Sequence, residues 1–178
     1  ETVLIPSREG FLPQASAVSQ RDKVSSCYGY GLSMSAIQIA QAYQVFANKG
    51  VFKELNLFDN KRLSSPEPEI RVLSEETTRM INQMLYETVN SKHGTATGAR
   101  IVGLDVVGKT GTSEKFKDGE KSYTATFSGF APSKEPKLLA VIVLHDLIGD
   151  EHSGGKVAAP IFSKVISQSL HALESGSI

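Results

Sequence analysis

Ile101-Val-Gly-Leu-Asp-Val-Val-Gly-Lys-Thr-Gly-Thr112 is the stretch on which the fold turns. Its Val106-Val107 pair favours extended backbone, so residues 101–112 read as a strand, continuous at least from 104 to 112. Lys109-Thr110-Gly111-Thr112 is then the exposed face of a sheet edge. A lysine brings positive charge on a flexible stem, the threonines bring hydroxyls, and a glycine leaves room for a ligand against the backbone. The set suits an anionic, extended substrate.

Downstream, Lys117-Asp-Gly-Glu120 supplies a hairpin turn and Tyr123 to Phe130 alternates as the partner strand. Ala131-Pro-Ser-Lys-Glu-Pro136 turns the chain again. Leu138 to His145 is expected as a third, largely buried strand, giving an antiparallel meander. After the loop from Gly149 to Gly155, one apolar face runs through Val157, Ala158, Ile161, Phe162, Val165, Ile166, Leu170 and Leu173. It predicts a closing helix from Ala159 to Leu173, packed on the sheet, with Pro160 in its first turn where a missing N–H is harmless.

Upstream, Glu1 to Ser26 lacks periodicity and reads as an extended or looped entry. Tyr28 and Tyr30, in Tyr28-Gly-Tyr-Gly31, are expected to brace the core. Ser35-x-x-Gln38 is a capping-box pattern that opens a helix through Ala47, closed by Asn48-Lys-Gly50. Lys53 to Arg71, with Ser64-Ser-Pro-Glu-Pro68, reads as a surface connection. Ser74 caps a second helix with Glu75 and Glu76 in its first turn, apolar at Ile81, Met84, Leu85 and Val89, with Gly94 past its end.

At 178 residues and 40% apolar content the chain can bury a core of its own. Nineteen basic and nineteen acidic residues cancel, which argues against nucleic acid as a partner. The apolar run Leu138 to Leu144 is too short to cross a bilayer and no signal segment opens the chain, so the chain itself is expected to be soluble. Cys27 is the sole cysteine, which excludes an intrachain disulfide; with no base or metal-ligand spacing around it, it reads as a packed or partly exposed small residue rather than a reactive thiol. His93, His145, His152 and His171 lack metal spacing and read as structural or solvent-facing, so no metal is expected.

Two motifs compete for the opening stretch. Gly103-Leu-Asp-Val-Val-Gly108-Lys109-Thr110 fits the phosphate-binding G-x-x-x-x-G-K-[ST] pattern, and Leu138 to Leu144 with His145 and Asp146 imitates the strand and acid that hold magnesium. A phosphate loop, however, is a small-residue turn feeding a helix N-terminus. Here Leu-Asp-Val-Val intervenes, and Gly111, Thr112 and a charged stretch follow.

The other motif is the Lys-Thr-Gly of penicillin-recognising serine enzymes. With it stand Tyr28-Gly-Tyr-Gly-Leu-Ser-Met-Ser35 and the helix through Gln38, Ala40, Tyr43, Ala47 and Asn48. Gly94-Thr-Ala96, Val107-Gly-Lys-Thr-Gly-Thr112, Phe127-Ser-Gly-Phe-Ala-Pro132 and Gly154-Gly-Lys-Val-Ala-Ala-Pro-Ile-Phe162 follow. In this order, the chain resembles the C-terminal part of the transpeptidase domain of class B penicillin-binding proteins, closest to the septal, cell-division type.

The resemblance implies an α/β (α+β) fold, an antiparallel sheet packed with helices, present as part of one transpeptidase domain across residues 1–178. It implies a serine acyl-enzyme that crosslinks peptidoglycan stem peptides ending in D-Ala-D-Ala, acylated also by β-lactams, with no cofactor. Lys109 and Thr112 are the implied catalytic residues. Thr110, Gly111, Thr112 and Ser113 are the implied substrate-binding residues, with Lys115 and Tyr123 nearby. The family's Ser-x-x-Lys and Ser-x-Asn motifs are absent from this sequence. Ser153-Gly-Gly-Lys156 has the nucleophile's spacing, but its glycines discourage the necessary helical turn, and Thr112-Ser-Glu-Lys115 has no better claim.

The chain is therefore expected to be inactive alone and to need the missing N-terminal part of the same protein. A cell-wall glycosyltransferase and divisome proteins are the implied further partners. The implied location is the periplasmic face of the bacterial inner membrane, with the anchor outside this chain. A noncatalytic binding module of the same fold is the remaining alternative.

Overall fold

The computed structural model describes residues 10–14, 19–55, 69–117 and 119–176. They fall into two compact units, residues 1–39 and 40–178.

In the first unit Phe11 and Ser33 form an isolated antiparallel bridge, with Phe11 N–H on Ser33 O at 2.8 Å and the return bond at 3.0 Å. The looped reading of Glu1 to Ser26 is corrected by α1, Gln20–Ser26. Ser19 caps it by accepting the Asp22 N–H at 3.2 Å, and Asp22 sits where the helix dipole favours an acid. Residues 1–9 and 15–18 of that reading lie outside the described residues. Tyr28 and Tyr30 do not brace a core. They meet each other edge to face at 6.1 Å and are 69% and 70% exposed. Cys27 is exposed.

α2, Ala36–Ala47, opens on the expected capping box. Ser35 Oγ accepts the Gln38 N–H at 3.3 Å, and Gln38 Oε1 accepts the Ser35 N–H at 2.9 Å. It closes at Asn48-Lys-Gly50, where Gly50 has φ +87° and donates to Val45 O at 2.8 Å. β1, Val51–Phe52, pairs antiparallel with β2, Ile70–Arg71. The far end of the expected surface connection is thus a strand; residues 56–68, including Ser64 to Pro68, lie outside the described residues. α3, Glu75–Asn90, begins at Ser74, whose Oγ accepts the Thr77 N–H at 3.0 Å. Of its expected apolar positions Val89 is fully buried, whereas Met84 faces outward.

The main sheet is an antiparallel meander of β3, Val107–Lys117, β4, Glu120–Ala131, and β5, Leu138–Leu147, in that order. Two features depart from expectation at β3. It starts at Val107 rather than Ile101, because Ile101 and Leu104 bridge each other around a turn in which Gly103 has φ +76°. It also runs past Thr112 to Lys117, because register with β4 continues to Lys117 opposite Glu120. Asp118 of the expected turn is outside the described residues. β5 is half-buried rather than largely buried.

α4, Gly154–Glu174, packs on β4 and β5. It begins five residues before the expected Ala159, so Pro160 lies in the helix interior and not its first turn. Ala158, Ala159, Phe162, Ile166 and Leu170 are its buried positions, while Ile161, Val165 and Leu173 face outward. Phe162 meets Phe127 of β4 at 4.7 Å in an edge-to-face pair, and Val89, Ala96, Ala99 and Val106 complete the core around them. No helix among the described residues is long and apolar enough to cross a membrane.

Candidate active site

β3 is an edge strand, and the alternation of an antiparallel ladder sends every second residue's N–H and C=O to the free side. The side chains show which. Thr88 Oγ1 donates to Gly108 O, and Lys109 Nζ donates to Thr110 O at 3.1 Å. Gly108 and Thr110 therefore present their backbone outward, and by the same alternation so does Thr112. Gly108 is buried and its carbonyl is taken by Thr88, so the open part of the edge lies at Thr110 and Thr112, whose outward backbone can take an extended peptide as an added strand.

Side chains alternate too. Thr110 and Thr112 project on the face covered by α4, while Lys109, Gly111 and Ser113 project on the other. Lys109 is exposed and curls round the strand edge, its ammonium 3.1 Å from Thr110 O and 3.4 Å from Thr110 Oγ1. Thr110 Oγ1 is also 3.4 Å from Thr95 Oγ1. Thr112 Oγ1 accepts the Gly154 N–H at 3.1 Å, which ties the first turn of α4 to the strand. The expected residues thus converge on one strand edge with the exception of Ser113 and Lys115, whose exposed side chains lie on the Lys109 face.

Gly111 is not a bulge: register runs unbroken through Gly111 opposite Thr126. A Cβ there would collide with Thr126 Oγ1, so the bare backbone answers to the neighbouring strand as well as leaving a free surface. Gly154 is packed as tightly, since its Cβ would meet Thr126 O and lie 2.6 Å from Gly111 O.

The phosphate-loop reading of Gly103 to Thr110 is overturned. Gly108, Lys109 and Thr110 are already in β3, their amides belong to a strand, and strand continues beyond them where a helix would be needed. The Ser153-Gly-Gly-Lys156 reading stands rejected, on different grounds from those the glycines suggested. Gly154 and Gly155 are helical, with Ser153 at the cap. Lys156 instead pairs with Glu151 at 2.9 Å; that hydrogen bond raises its pKa, holding it protonated and unfit as a base for Ser153. In Thr112-Ser-Glu-Lys115 the extended backbone puts Thr112 and Lys115 on opposite faces.

Sequence reasoning assigned no role to Thr95, Gly154 or His152. Thr95 was visible inside Gly94-Thr-Ala96, but its contact with Thr110 spans fifteen residues and follows no local rule. A separate cleft of about 840 Å³, lined by Phe46, Thr78, Asn82, Tyr86 and Asp105 among others, does not include the strand edge.

Comparison with known proteins agrees with this geometry. Residues 4–167 match the family described as the penicillin binding protein transpeptidase domain. The chain is 33% identical over 155 residues to the probable peptidoglycan D,D-transpeptidase PenA of Neisseria gonorrhoeae, covering 85% of this chain and 26% of that protein. It is 30% identical over 173 residues to the peptidoglycan D,D-transpeptidase FtsI of Escherichia coli K12, covering 96% of this chain and 29% of that one. Among solved structures, it is similar to the transpeptidase domain of Burkholderia pseudomallei penicillin-binding protein 3. The TM-score is 0.76 at 32% identity, over 92% of this chain and 50% of that one. The chain thus spans between a quarter and a third of the curated relatives' length.

Proposed function

The chain belongs to the penicillin-binding protein transpeptidase domain family, and on that footing we propose that it is the later portion of a peptidoglycan D,D-transpeptidase domain. The nucleophilic serine belongs to the rest of that domain, upstream. That serine attacks the carbonyl between the two terminal D-alanines of a stem peptide. The C–N bond breaks, the outgoing D-Ala amine takes up a proton, and an amine of a neighbouring stem peptide resolves the acyl-enzyme into a crosslink. β-Lactams acylate the same serine. The protein works at the periplasmic face of the bacterial inner membrane in cell division, alongside a glycosyltransferase and divisome proteins.

The observation that carries this reading is the free edge at Thr110 and Thr112, with the Lys109 ammonium lying on it. Lys109 adds positive potential for the substrate carboxylate, bridges to the serine of the Ser-x-Asn motif and assists proton transfer. The hydroxyls of Thr110 and Thr112 bind the carboxylate, and within the 110–113 segment the outward backbone of Thr110 and Thr112 pairs with the substrate, while Gly111 and Ser113 hold that edge in register against β4. The outward Thr112 N–H is an oxyanion donor, a group whose loss costs ~3 kcal/mol in comparable sites.

The test is covalent labelling of the full-length protein by a fluorescent penicillin. The full-length protein should label, the isolated chain should not, and Lys109→Ala should label slower by on the order of 100-fold. A full-length protein that never labels overturns the catalytic reading in favour of a binding module.

A further inference from the structure

The Thr112 hydroxyl can donate one hydrogen and accept others, so alone it does not discriminate an anion from a donor group. The Gly154 N–H, 3.1 Å from Thr112 Oγ1, changes that. With a lone pair occupied from the α4 side, the hydroxyl hydrogen turns away from that N–H, and Thr112 becomes a donor toward the open edge, suited to an acceptor-only carboxylate. The placing of Gly154 therefore bears on what Thr112 can bind.

Gly154 follows the loop of residues 148–153, and that loop is pinned at its last turn by His152. The His152 ring stacks flat on Tyr123, with centroids 3.6 Å apart and planes 10° from parallel. Its Nδ1 is 2.8 Å from Gly149 O; a carbonyl only accepts, so Nδ1 carries the hydrogen. Tyr123 is held in turn. It lies opposite Glu114 on β3, and Lys121 Nζ sits 5.2 Å from its ring centroid and 2.7 Å from Glu114 Oε2. The path from the hairpin thus runs by contact through Tyr123 to His152, along the backbone from His152 to Gly154, and by hydrogen bond to Thr112.

We propose that the Tyr123–His152 stack is a positioning device for the carboxylate-binding hydroxyl: it seats the loop so that Gly154 N–H meets Thr112 Oγ1, and so sets affinity for ligands bearing a carboxylate there. The inference rests on the transpeptidase reading. Neither residue touches the reacting atoms; each acts through Thr112.

The experiment measures acylation of the full-length protein by benzylpenicillin and by its methyl ester, resolving each into a binding constant and an acylation rate constant. One neutral hydrogen bond is worth about 1 kcal/mol, or roughly fivefold. His152→Ala should therefore weaken binding of the acid about five- to tenfold, with its acylation rate constant nearly unchanged and the ester unaffected. His152→Phe, which keeps a flat ring on Tyr123, should recover most of the loss. Thr112→Val should abolish the dependence on His152. Should His152→Ala fail to fold, Tyr123→Val removes the stack from the strand side and must give the same acid-selective loss.

Equal effects on acid and ester, or none on either, overturn the proposal and leave the transpeptidase reading standing. A wild-type protein acylated by neither compound overturns both.

Discussion

Tyr43 lies in α2 with its ring edge-on to Phe46 at 5.7 Å, and burial raises its pKa from 10.0 to about 12. The cause is desolvation, which penalises the phenolate. Below pH 10 folded and unfolded chains both hold the proton, so the stability is intact. Above it the unfolded chain ionises first, and stability falls until about pH 12, by an amount approaching ~2.7 kcal/mol for two units. Tyr43→Phe keeps the ring contact and removes the proton. Its denaturant midpoint should match wild type at pH 8 and exceed it progressively between pH 10 and 12; parallel curves would refute the assignment. At this scale the sequence was legible where chemistry sits on consecutive residues: Lys109, Thr110 and Thr112 do share one edge. It did not show that the Ser113 side chain projects on the face opposite the threonines, because that follows from the alternation of a strand whose extent the sequence left open.

The capped starts of α2 and α3 were legible, since Ser35 with Gln38 and Ser74 with Thr77 are bonds within one turn, whereas α1, capped by Ser19, is too short to show an apolar period. The start of α4 was not legible, because Gly154 and Gly155 have poor helix propensity and are demanded by distant backbone, Gly154 by β3 and β4 beneath it and Gly155 by the Thr95 carbonyl. Gly154→Ala sets these effects against each other. Propensity favours alanine by ~1 kcal/mol, but its Cβ would press on Thr126 O and Gly111 O, both backbone, and overpacking costs about 1–3 kcal/mol. The net expectation is a destabilised protein in thermal or chemical denaturation; a more stable variant would show that the close approach is not real. The end of α3 depends on a distant residue in the same way. That helix has no basic residue in its last turn, and Arg100 supplies one from outside, reaching Val89 O at 2.8 Å, Asn90 O at 3.2 Å and Ser91 O at 2.6 Å. Arg100→Ala should cost about 1–2 kcal/mol in urea unfolding, a charge-assisted cap being stronger than a neutral one. An unchanged midpoint would mean that solvent satisfies those carbonyls equally well.

Over the whole chain, the meander was legible because its turns carry Gly and Pro, Tyr123 to Phe130 alternates and Leu138 to Leu144 is a bounded apolar run, while strand lengths were not. The run Ser113 to Lys117 is polar but for the exposed Phe116, shows no alternating apolar signature, and is extended because β4 pairs with it out to Glu120. The half-burial of β5 was equally hidden, since Leu138 to Leu144 is uniformly apolar and composition cannot tell a central strand from an edge one. The strand order makes a prediction that composition cannot. β4 is flanked on both sides by β3 and β5, whereas the outer sides of β3 and β5 have no strand partner among the described residues. In hydrogen exchange of the isolated chain, β4 amides should all be slow and report global unfolding. Those of β5, and of β3 outside its side-chain contacts, should alternate slow and fast with a period of two, inward then outward. α1, seven residues long, should exchange fastest of the helices, being too short to hold its own turns. Uniform protection along β5 would contradict the strand order unless it faded on dilution. Fading would identify pairing between copies through the open edge, the association that unpaired strands invite.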